Sequence, residues 1–251
     1  MQVHISRAQH SSAAPLQIAK TTYPEQNPSC PSHPMLDLLI THATLPDGRQ
    51  NMSIAVQNGR ITEVTEGLQA PAHETVDAGG LLVSPPFVDA HFHMDSTLSY
   101  GQPRVNESGT LLEGIALWGE LKPQLTHDDI VQRALQYCDW AVARGLLAIR
   151  SHVDTSDPSL LPVQALLDVK QRVAPYLDLQ LVAFPQDGVL RRQGGLDNLK
   201  RALDMGVDVV GGIPHFERTM AQGAESVKIL CELAAKLAKR VDMHCDESDD
   251  P

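Results

Sequence analysis

The sequence of 251 residues is poor in cysteine and contains no long apolar run. Its four cysteines include no CxxC pair, and they are too few for a disulfide framework in a chain of this length. The first residues lack the unbroken apolar core of a signal peptide, and no later segment approaches the length of a membrane span. We therefore expect reduced thiols, a cytoplasmic location and no membrane partner.

Basic residues are also in the minority. The chain has 20 Lys and Arg against 31 Asp and Glu, which gives a net charge of -11 at pH 7. Nucleic acids and anionic membranes favour basic surfaces, so we expect neither as the main partner. A small neutral molecule remains compatible with this charge, and 42% hydrophobic residues are enough for a sizeable core.

Three regions follow one another along the chain. Residues 1–34 are rich in Ser, Pro, Gln and His, which predicts a disordered N-terminal extension. Residues 35–84 carry the short β-like runs LDLLI, MSIAV, RITEV and LLVS, separated by glycine turns such as Asn58–Gly59, which indicate a small antiparallel sheet. From 85 to 251, apolar strands alternate with helical segments, a pattern typical of βα units and a parallel sheet.

The βα region contains five candidate strands and at least two clear helices. A helix over 126–144 is opened by a capping box of Thr126 and Asp129, and a second helix is expected from Glu225 to Lys239. The strands are expected at 87–92, 146–153, 179–184, 207–213 and 241–245. They suit either a doubly wound sheet or the first part of an eight-stranded barrel. The first strand leads into histidines and no GxGxxG follows it, which favours the barrel.

Histidines stand where two of these strands end. His91 and His93 are two residues apart, so both imidazoles point to the same side of an extended strand and can bind one metal ion. His244 ends the fifth strand, and Glu247 follows it in HCDE. A bound divalent ion activates water at neutral pH, and a neighbouring carboxylate can carry protons. In isolation, HxH more often marks solvated polar residues than a metal site, and HxxE is uninformative. Their position at the ends of strands in one series favours the metal site.

Three further polar residues follow predicted strands. Gln186 lies in AFPQDG, where its amide can donate and accept hydrogen bonds towards an amide-containing ring or can serve as a solvated turn residue. His152 and His215 also stand near strand ends, and a structural or orienting role is favoured over direct metal ligation for both.

The order of these segments resembles bacterial cytosine deaminases of the amidohydrolase superfamily. The resemblance covers residues 36 to 251 and rests on the segments FVDAHFHMD, GQPRVNESGTLLEGI, AFPQDG, IPHFE and HCDESDD. It implies the N-terminal part of a (β/α)8 TIM-like barrel, with about five of its eight βα units, beside a small, incomplete β-sandwich. It also implies a homo-oligomer and one divalent metal ion, Fe²⁺ or Zn²⁺.

The resemblance assigns roles to six residues. His91, His93 and His244 correspond to metal ligands, and Glu247 corresponds to the glutamate that moves protons. Gln186 corresponds to the glutamine that binds the pyrimidine, and Leu111 stands where the backbone borders the substrate. A histidine after the sixth strand and an aspartate after the eighth have no counterpart, so we expect the chain to be an inactive fragment of a longer enzyme.

The implied reaction is metal-dependent hydrolytic deamination of a small nitrogen heterocycle, with cytosine, which would give uracil and ammonia, as the leading substrate. An aminohydrolase for another cyclic amidine, such as isocytosine, creatinine or a triazine, remains an alternative. A shortened, noncatalytic protein that uses the partial barrel for binding or assembly is the third hypothesis.

Overall fold

The computed structural model describes residues 35–246, which form two compact units. The first unit ends at Pro86 and the second begins at Phe87. The expectation of a disordered extension over 1–34 and the prediction for Glu247 both lie outside the described residues.

The first unit contains a four-stranded sheet. Its strands are β1 (Leu36–Ala43), β2 (Met52–Gln57), β3 (Arg60–Glu66) and β4 (Ala72–Asp77), in the order β3-β2-β1-β4. The β2–β3 hairpin turns at Asn58 and Gly59, where the sequence predicts a turn, and their φ angles of 52° and 68° are those of a primed turn.

Two details of the predicted antiparallel sheet are wrong. The strand β4 runs parallel to β1, and it is formed by AHETVD and not by LLVS. In the LLVS segment, Leu82 forms only an isolated bridge with Thr44. The sequence of β4 is polar because the strand lies at the edge of the sheet and is mostly exposed, so it lacks the apolar alternation by which strands are recognised.

The second unit contains a five-stranded parallel sheet. The strands are β5 (Phe87–Phe92), β6 (Leu146–Asp154), β7 (Asp178–Phe184), β8 (Val209–Gly212) and β9 (Arg240–Met243). Their spatial order, β5-β6-β7-β8-β9, is the order of the chain, and every neighbouring pair is parallel. A doubly wound sheet reverses its strand order at a switch point, so this topology confirms the partial TIM-like barrel.

Five helices accompany these strands, and two of them test the sequence expectations directly. The helices are α1 (Leu111–Leu121), α2 (His127–Val142), α3 (Leu161–Val173), α4 (Gly195–Asp204) and α5 (Met220–Lys236). The capping box of α2 is confirmed, because Asp129 N donates to Thr126 Oγ1 and Thr126 N donates to the Asp129 carboxylate. The helix α5 begins earlier than expected because the Thr219 hydroxyl caps it by accepting from Gln222 N.

The core of the second unit lies between the parallel sheet and its helices. Leu166 of α3, Leu181 of β7 and Leu230 of α5 are fully buried in this core. Burying one such side chain stabilises the fold by about 1.5–3 kcal/mol. None of the helices among residues 35–246 is long and apolar enough to cross a membrane.

The strand β8 ends in two glycines that lie in tight surroundings. A methyl group at Gly211 would overlap the backbone oxygen of Ala183 in β7. A methyl group at Gly212 would lie 2.9 Å from Leu230 Cδ1 and 3.0 Å from Met243 Cγ. The carbonyl of Gly212 accepts a 2.9 Å hydrogen bond from His244 N, so this strand end also fixes the backbone that follows β9.

Candidate metal centre and cavity

Four imidazoles meet at the carboxyl end of the parallel sheet. His91 belongs to β5 and His93 follows it, His152 belongs to β6, and His244 follows β9. One ring nitrogen of each lies within 4.8 Å of the others. The strands β5 and β9 are opposite edges of the sheet, yet His93 Nε2 is 3.0 Å from His244 Nε2. The sheet therefore curls enough to bring the ends of its edge strands together.

Three of these rings have a lowered pKa, which favours their neutral form. Burial and the neighbouring histidines lower the pKa of His93 to about 3, and they lower that of His244 to about 3 as well. Burial also lowers the pKa of His152, although Asp242 opposes this shift. Neutral imidazole is the form that binds metal ions, so these three rings offer lone pairs and not positive charges.

His152 has a defined orientation in the cluster. Its Nε2 lies 3.3 Å from Asp242 Oδ1, a carboxylate that can only accept, so Nε2 carries the hydrogen. Its Nδ1 is consequently a lone pair, and this atom is buried without a hydrogen-bond partner among residues 35–246. Asp242 is fixed in turn by Arg150, which donates a 2.7 Å hydrogen bond to Oδ2.

The donor set fits one divalent transition-metal ion. The Nδ1 atoms of His152 and His244 are buried and lack a hydrogen-bond partner within the described part of the chain. Unpaired buried nitrogens are costly unless a ligand satisfies them, and imidazole suits zinc and iron. The structure thus brings together the predicted ligands His91, His93 and His244, and it adds His152, for which the sequence favoured an orienting role.

A cavity of about 560 Å³ opens beside this cluster. His91, His93 and His244 lie in its wall, together with the two residues predicted to contact substrate, Gln186 and Leu111. Gln186 follows β7, and Leu111 is the first residue of α1. The remaining wall includes apolar side chains of α1. The cavity therefore has a polar side, formed by the imidazoles and Gln186, and an apolar side, formed by α1.

A network of hydrogen bonds connects the end of α1 to the ends of β6 and β7. The Nε1 of Trp118 donates a 2.7 Å hydrogen bond to Asp154 Oδ2, and Lys122 Nζ lies 3.1 Å from the same oxygen. The Lys122 ammonium also donates to Asp187 Oδ2 at 3.2 Å. Asp187 directly follows Gln186, and Asp154 ends β6.

Asp95 is a second buried carboxyl in the cavity wall. Its Oδ2 accepts a 2.8 Å hydrogen bond from the backbone N–H of Asp154. Burial raises the pKa of Asp95 to about 7, although that hydrogen bond opposes the shift, and the nearby charge of Asp154 adds to it.

Sequence reasoning did not single out Trp118, Lys122, Asp154 or Asp187. The available signal was positional, because Asp154 ends a strand whose His152 was noted and Asp187 adjoins Gln186. His215, the other histidine considered, follows β8, and both of its ring nitrogens are buried without a hydrogen-bond partner among residues 35–246. It lies outside the group of four that could hold an ion.

Comparison with known proteins identifies relatives for both the sequence and the fold. The profile of the amidohydrolase family matches residues 74–251. N-isopropylammelide isopropyl amidohydrolase of Pseudomonas sp. (strain ADP) is 31% identical over 215 residues, which are 84% of this chain and 52% of that protein.

Solved structures of two related enzymes illustrate the similarity of the fold. The 5-methylcytosine deaminase of Klebsiella pneumoniae, liganded with 5-fluorocytosine, is 44% identical with a TM-score of 0.81, over 85% of this chain and 52% of that one. N-isopropylammelide isopropylaminohydrolase of Burkholderia multivorans is 27% identical with a TM-score of 0.69, over 84% of this chain and 53% of that one. The chain spans about half the length of these relatives.

Proposed function

Because the chain belongs to the amidohydrolase family, we propose that the whole protein hydrolyses cytosine to uracil and ammonia, or a close analogue to the corresponding oxo product and ammonia. The observation that carries the proposal is the common cavity of the imidazole cluster and Gln186. A ring bound to the Gln186 amide in this cavity would present its amino-bearing carbon to the end of the sheet where the imidazoles meet.

The metal ligands in this proposal are His91, His93 and His244. The ion would be Fe²⁺ or Zn²⁺, and when bound it supplies water of lowered pKa at neutral pH. His152, with its Nδ1 directed away from Asp242, supports the site and is the fourth imidazole available to it.

Two residues of the proposal position the ring. The side-chain amide of Gln186 both donates and accepts hydrogen bonds, which matches the adjacent ring N–H and carbonyl pattern of a pyrimidine edge. Leu111 borders the same cavity from the start of α1 and would exclude water from one face of the ring.

Glu247 completes the proposed set of residues. It lies outside the described residues and follows His244 closely in HCDE, so its role rests on the family resemblance. In the proposed reaction its carboxylate takes a proton from the attacking water and gives it to the ring nitrogen next to the reacting carbon. It then carries the proton of the new C–OH group to the amino group, so that the C–N bond breaks, ammonia leaves and the ring carbonyl forms.

A second candidate substrate is 5-methylcytosine. Apolar side chains of Leu111, Ile115 and Trp118 line the cavity, and an apolar wall accommodates a ring methyl group without leaving a polar atom unpaired. The relation to the Klebsiella pneumoniae 5-methylcytosine deaminase supports this choice.

A substrate panel tests the proposal. The whole protein is stripped of metal, reloaded with Fe²⁺ or Zn²⁺, and assayed for ammonia release from cytosine, 5-methylcytosine, isocytosine, creatinine and an aminotriazine. We expect the two cytosines to have the highest kcat/KM and the stripped protein to be inactive. Preferred turnover of another ring would reassign the substrate, and metal binding without any turnover would favour the noncatalytic hypothesis.

The family resemblance also implies a homo-oligomer. Size-exclusion chromatography with light scattering on the whole protein tests this, and a monomeric mass at working concentration would reject it.

A further inference from the structure

The helix α1 supplies the apolar wall of the cavity but is only weakly buried itself. Leu111, Ile115 and Trp118 line the cavity, whereas Leu121 is the only buried residue of the helix. Leu111 and Leu112 are 40% and 59% exposed. Apolar packing within the described residues therefore gives α1 little anchorage, and the position of the wall depends on other contacts.

Arg104 of the preceding segment binds two glutamates of α1, whereas the contacts that join this helix to the strand ends lie at the end of the helix. Trp118 and Lys122 both donate to Oδ2 of Asp154, at 2.7 and 3.1 Å. The side chains of Lys122 and Asp154 are only 13% and 3% exposed. Burial lowers the pKa of Lys122, but the charges of Asp154 and Asp187 outweigh it and raise the pKa overall, so the ammonium stays charged at neutral pH.

The same lysine reaches the segment that carries Gln186. Its Nζ lies 3.2 Å from Asp187 Oδ2, and Arg192 donates to that oxygen at 2.9 Å. The backbone N–H of Asp187 donates to Ser156 Oγ at 2.9 Å. Lys122 thus connects α1 to the ends of the neighbouring strands β6 and β7, with Gln186 beside one of its two partners.

We propose that Lys122 is a positioning residue that sets the distance between the apolar wall of α1 and the amide of Gln186, and so determines which ring the cavity accepts. This inference rests on the proposed function, because it assumes that a planar heterocycle lies between these two walls. Without the ammonium, the buried carboxylate of Asp154 would lose its charged partner, whereas the half-buried Asp187 would keep Arg192, and α1 would move away from the strand ends. The cavity would then bind a small pyrimidine less tightly.

Kinetics of the whole protein separate positioning from catalysis. In Lys122→Met we expect KM for cytosine to rise on the order of tenfold, with metal content unchanged and kcat less affected. Lys122→Arg restores the charge and should recover part of the affinity. The matched control is Lys170→Met, since Lys170 forms a 2.6 Å ion pair with Asp208 and does not line this cavity.

A binding measurement makes the test independent of turnover. Uracil, the expected product, is titrated into each protein while tryptophan fluorescence is recorded. The same titration of a matching Trp118→Phe variant is subtracted, which leaves the emission of Trp118. We expect a red-shifted Trp118 emission and a higher Kd for uracil in Lys122→Met, because the indole loses its fixed surroundings. If Lys122→Met does not fold, Asp187→Asn, which keeps the Asp154 contact, should show a smaller change of the same sign.

The two proposals fail in different ways. If the wild-type protein releases ammonia from no heterocycle, the proposed function is wrong, and the Trp118 emission still shows whether Lys122 positions α1. If the wild-type protein is active while KM, uracil affinity and Trp118 emission are the same in Lys122→Met and Lys170→Met, the positioning role is wrong.

Discussion

The Nε2 atom of His152 in β6 lies 3.3 Å from the Oδ1 atom of Asp242 in β9. The sheet order places β7 and β8 between these two strands, so the contact crosses the inside of the curved sheet. Arg150 holds the other oxygen of the same carboxylate. One aspartate therefore fixes both the tautomer and the direction of the most deeply buried imidazole in the cluster.

Removing this carboxylate should weaken metal binding without removing a predicted ligand. In Asp242→Ala we expect metal affinity to fall about 10- to 100-fold, because His152 loses the partner that orients it. A competition titration against a chelating dye measures this in the whole protein. Asp168→Ala, which removes a carboxylate paired with Arg172 on α3, is the control and should bind metal normally. Equal affinities in the two variants would mean that His152 needs no such support.

Substitution of the predicted ligands should affect metal content and activity together. His91→Ala, His93→Ala and His244→Ala each remove an imidazole of the cluster, so we expect low metal occupancy and low turnover in all three. Elemental analysis beside an ammonia assay provides the measurement. His127→Ala, a change at a partly exposed histidine at the start of α2 outside the cluster, should leave both unchanged. Full occupancy in any of the three variants would exclude that histidine as a ligand.

Gln186→Ala should separate substrate binding from metal binding. The side chain lines the cavity but does not belong to the imidazole cluster, so we expect normal metal content. Loss of its hydrogen bonds should lower kcat/KM by about 0.5–1.5 kcal/mol, and by more if the ring is left with an unpaired buried group. Steady-state kinetics with cytosine measure this effect. Unchanged kinetics would make Gln186 a turn residue.

Glu247→Gln should abolish proton transfer and leave the metal site intact. The amide has nearly the shape of the carboxyl group but cannot carry a proton between the ring and the leaving ammonia. We expect most of kcat to be lost at normal metal content. Asp246→Asn is the neighbouring control, because Asp246 is exposed and has no assigned role. Near-normal turnover in Glu247→Gln would assign the proton transfer to another group.

Alkaline conditions should destabilise the fold through Cys138. Burial raises the pKa of this fully buried thiol from its usual 9.0 to about 12. Between these pH values the unfolded chain releases the proton and the folded chain retains it, so the free energy of unfolding falls as pH rises. The loss from this group is at most about 1.4 kcal/mol per pH unit.

Denaturant unfolding of the whole protein between pH 8.5 and 11 measures that slope. Cys138→Ala should show a shallower decline, whereas Cys231→Ala, a change at an exposed cysteine, should decline like the wild type. Tyr137 contributes in the same direction, since burial and the charge of Asp89 raise its pKa to about 12. Identical slopes in all three proteins would contradict the burial of Cys138.

The parts of the fold that follow from local chemistry were predictable from the sequence. The Thr126–Asp129 capping box and the Asn58–Gly59 turn depend on residues close in the chain, and both are present as expected. The strand β4 was missed because its position follows from pairing with β1 and not from its own apolar pattern. A parallel partner distant in sequence leaves no local signal.

The same distinction applies to the candidate site. His91 and His93 could be paired because a strand places alternate residues on one side. The contact of His152 with Asp242 joins residues 90 positions apart, and that of Lys122 with Asp187 joins residues 65 apart. Such pairs depend on how strongly the sheet curls and on where α1 lies. Local sequence patterns indicate neither the curvature of the sheet nor the position of the helix.

The glycine pair at the end of β8 constrains how this sequence can diverge. Even the smallest side chain at Gly211 would collide with the β7 backbone, and at Gly212 it would press on Leu230 and Met243. At Gly211 the obstacle is backbone, which cannot turn aside, so mutation there is expected to be purged even on copies that no longer need the reaction but still need the fold. In a saturation-mutagenesis library selected only for folded, soluble protein, the codon of Gly211 should stay glycine, whereas that of Gly212, which meets only side chains, should admit some alanine.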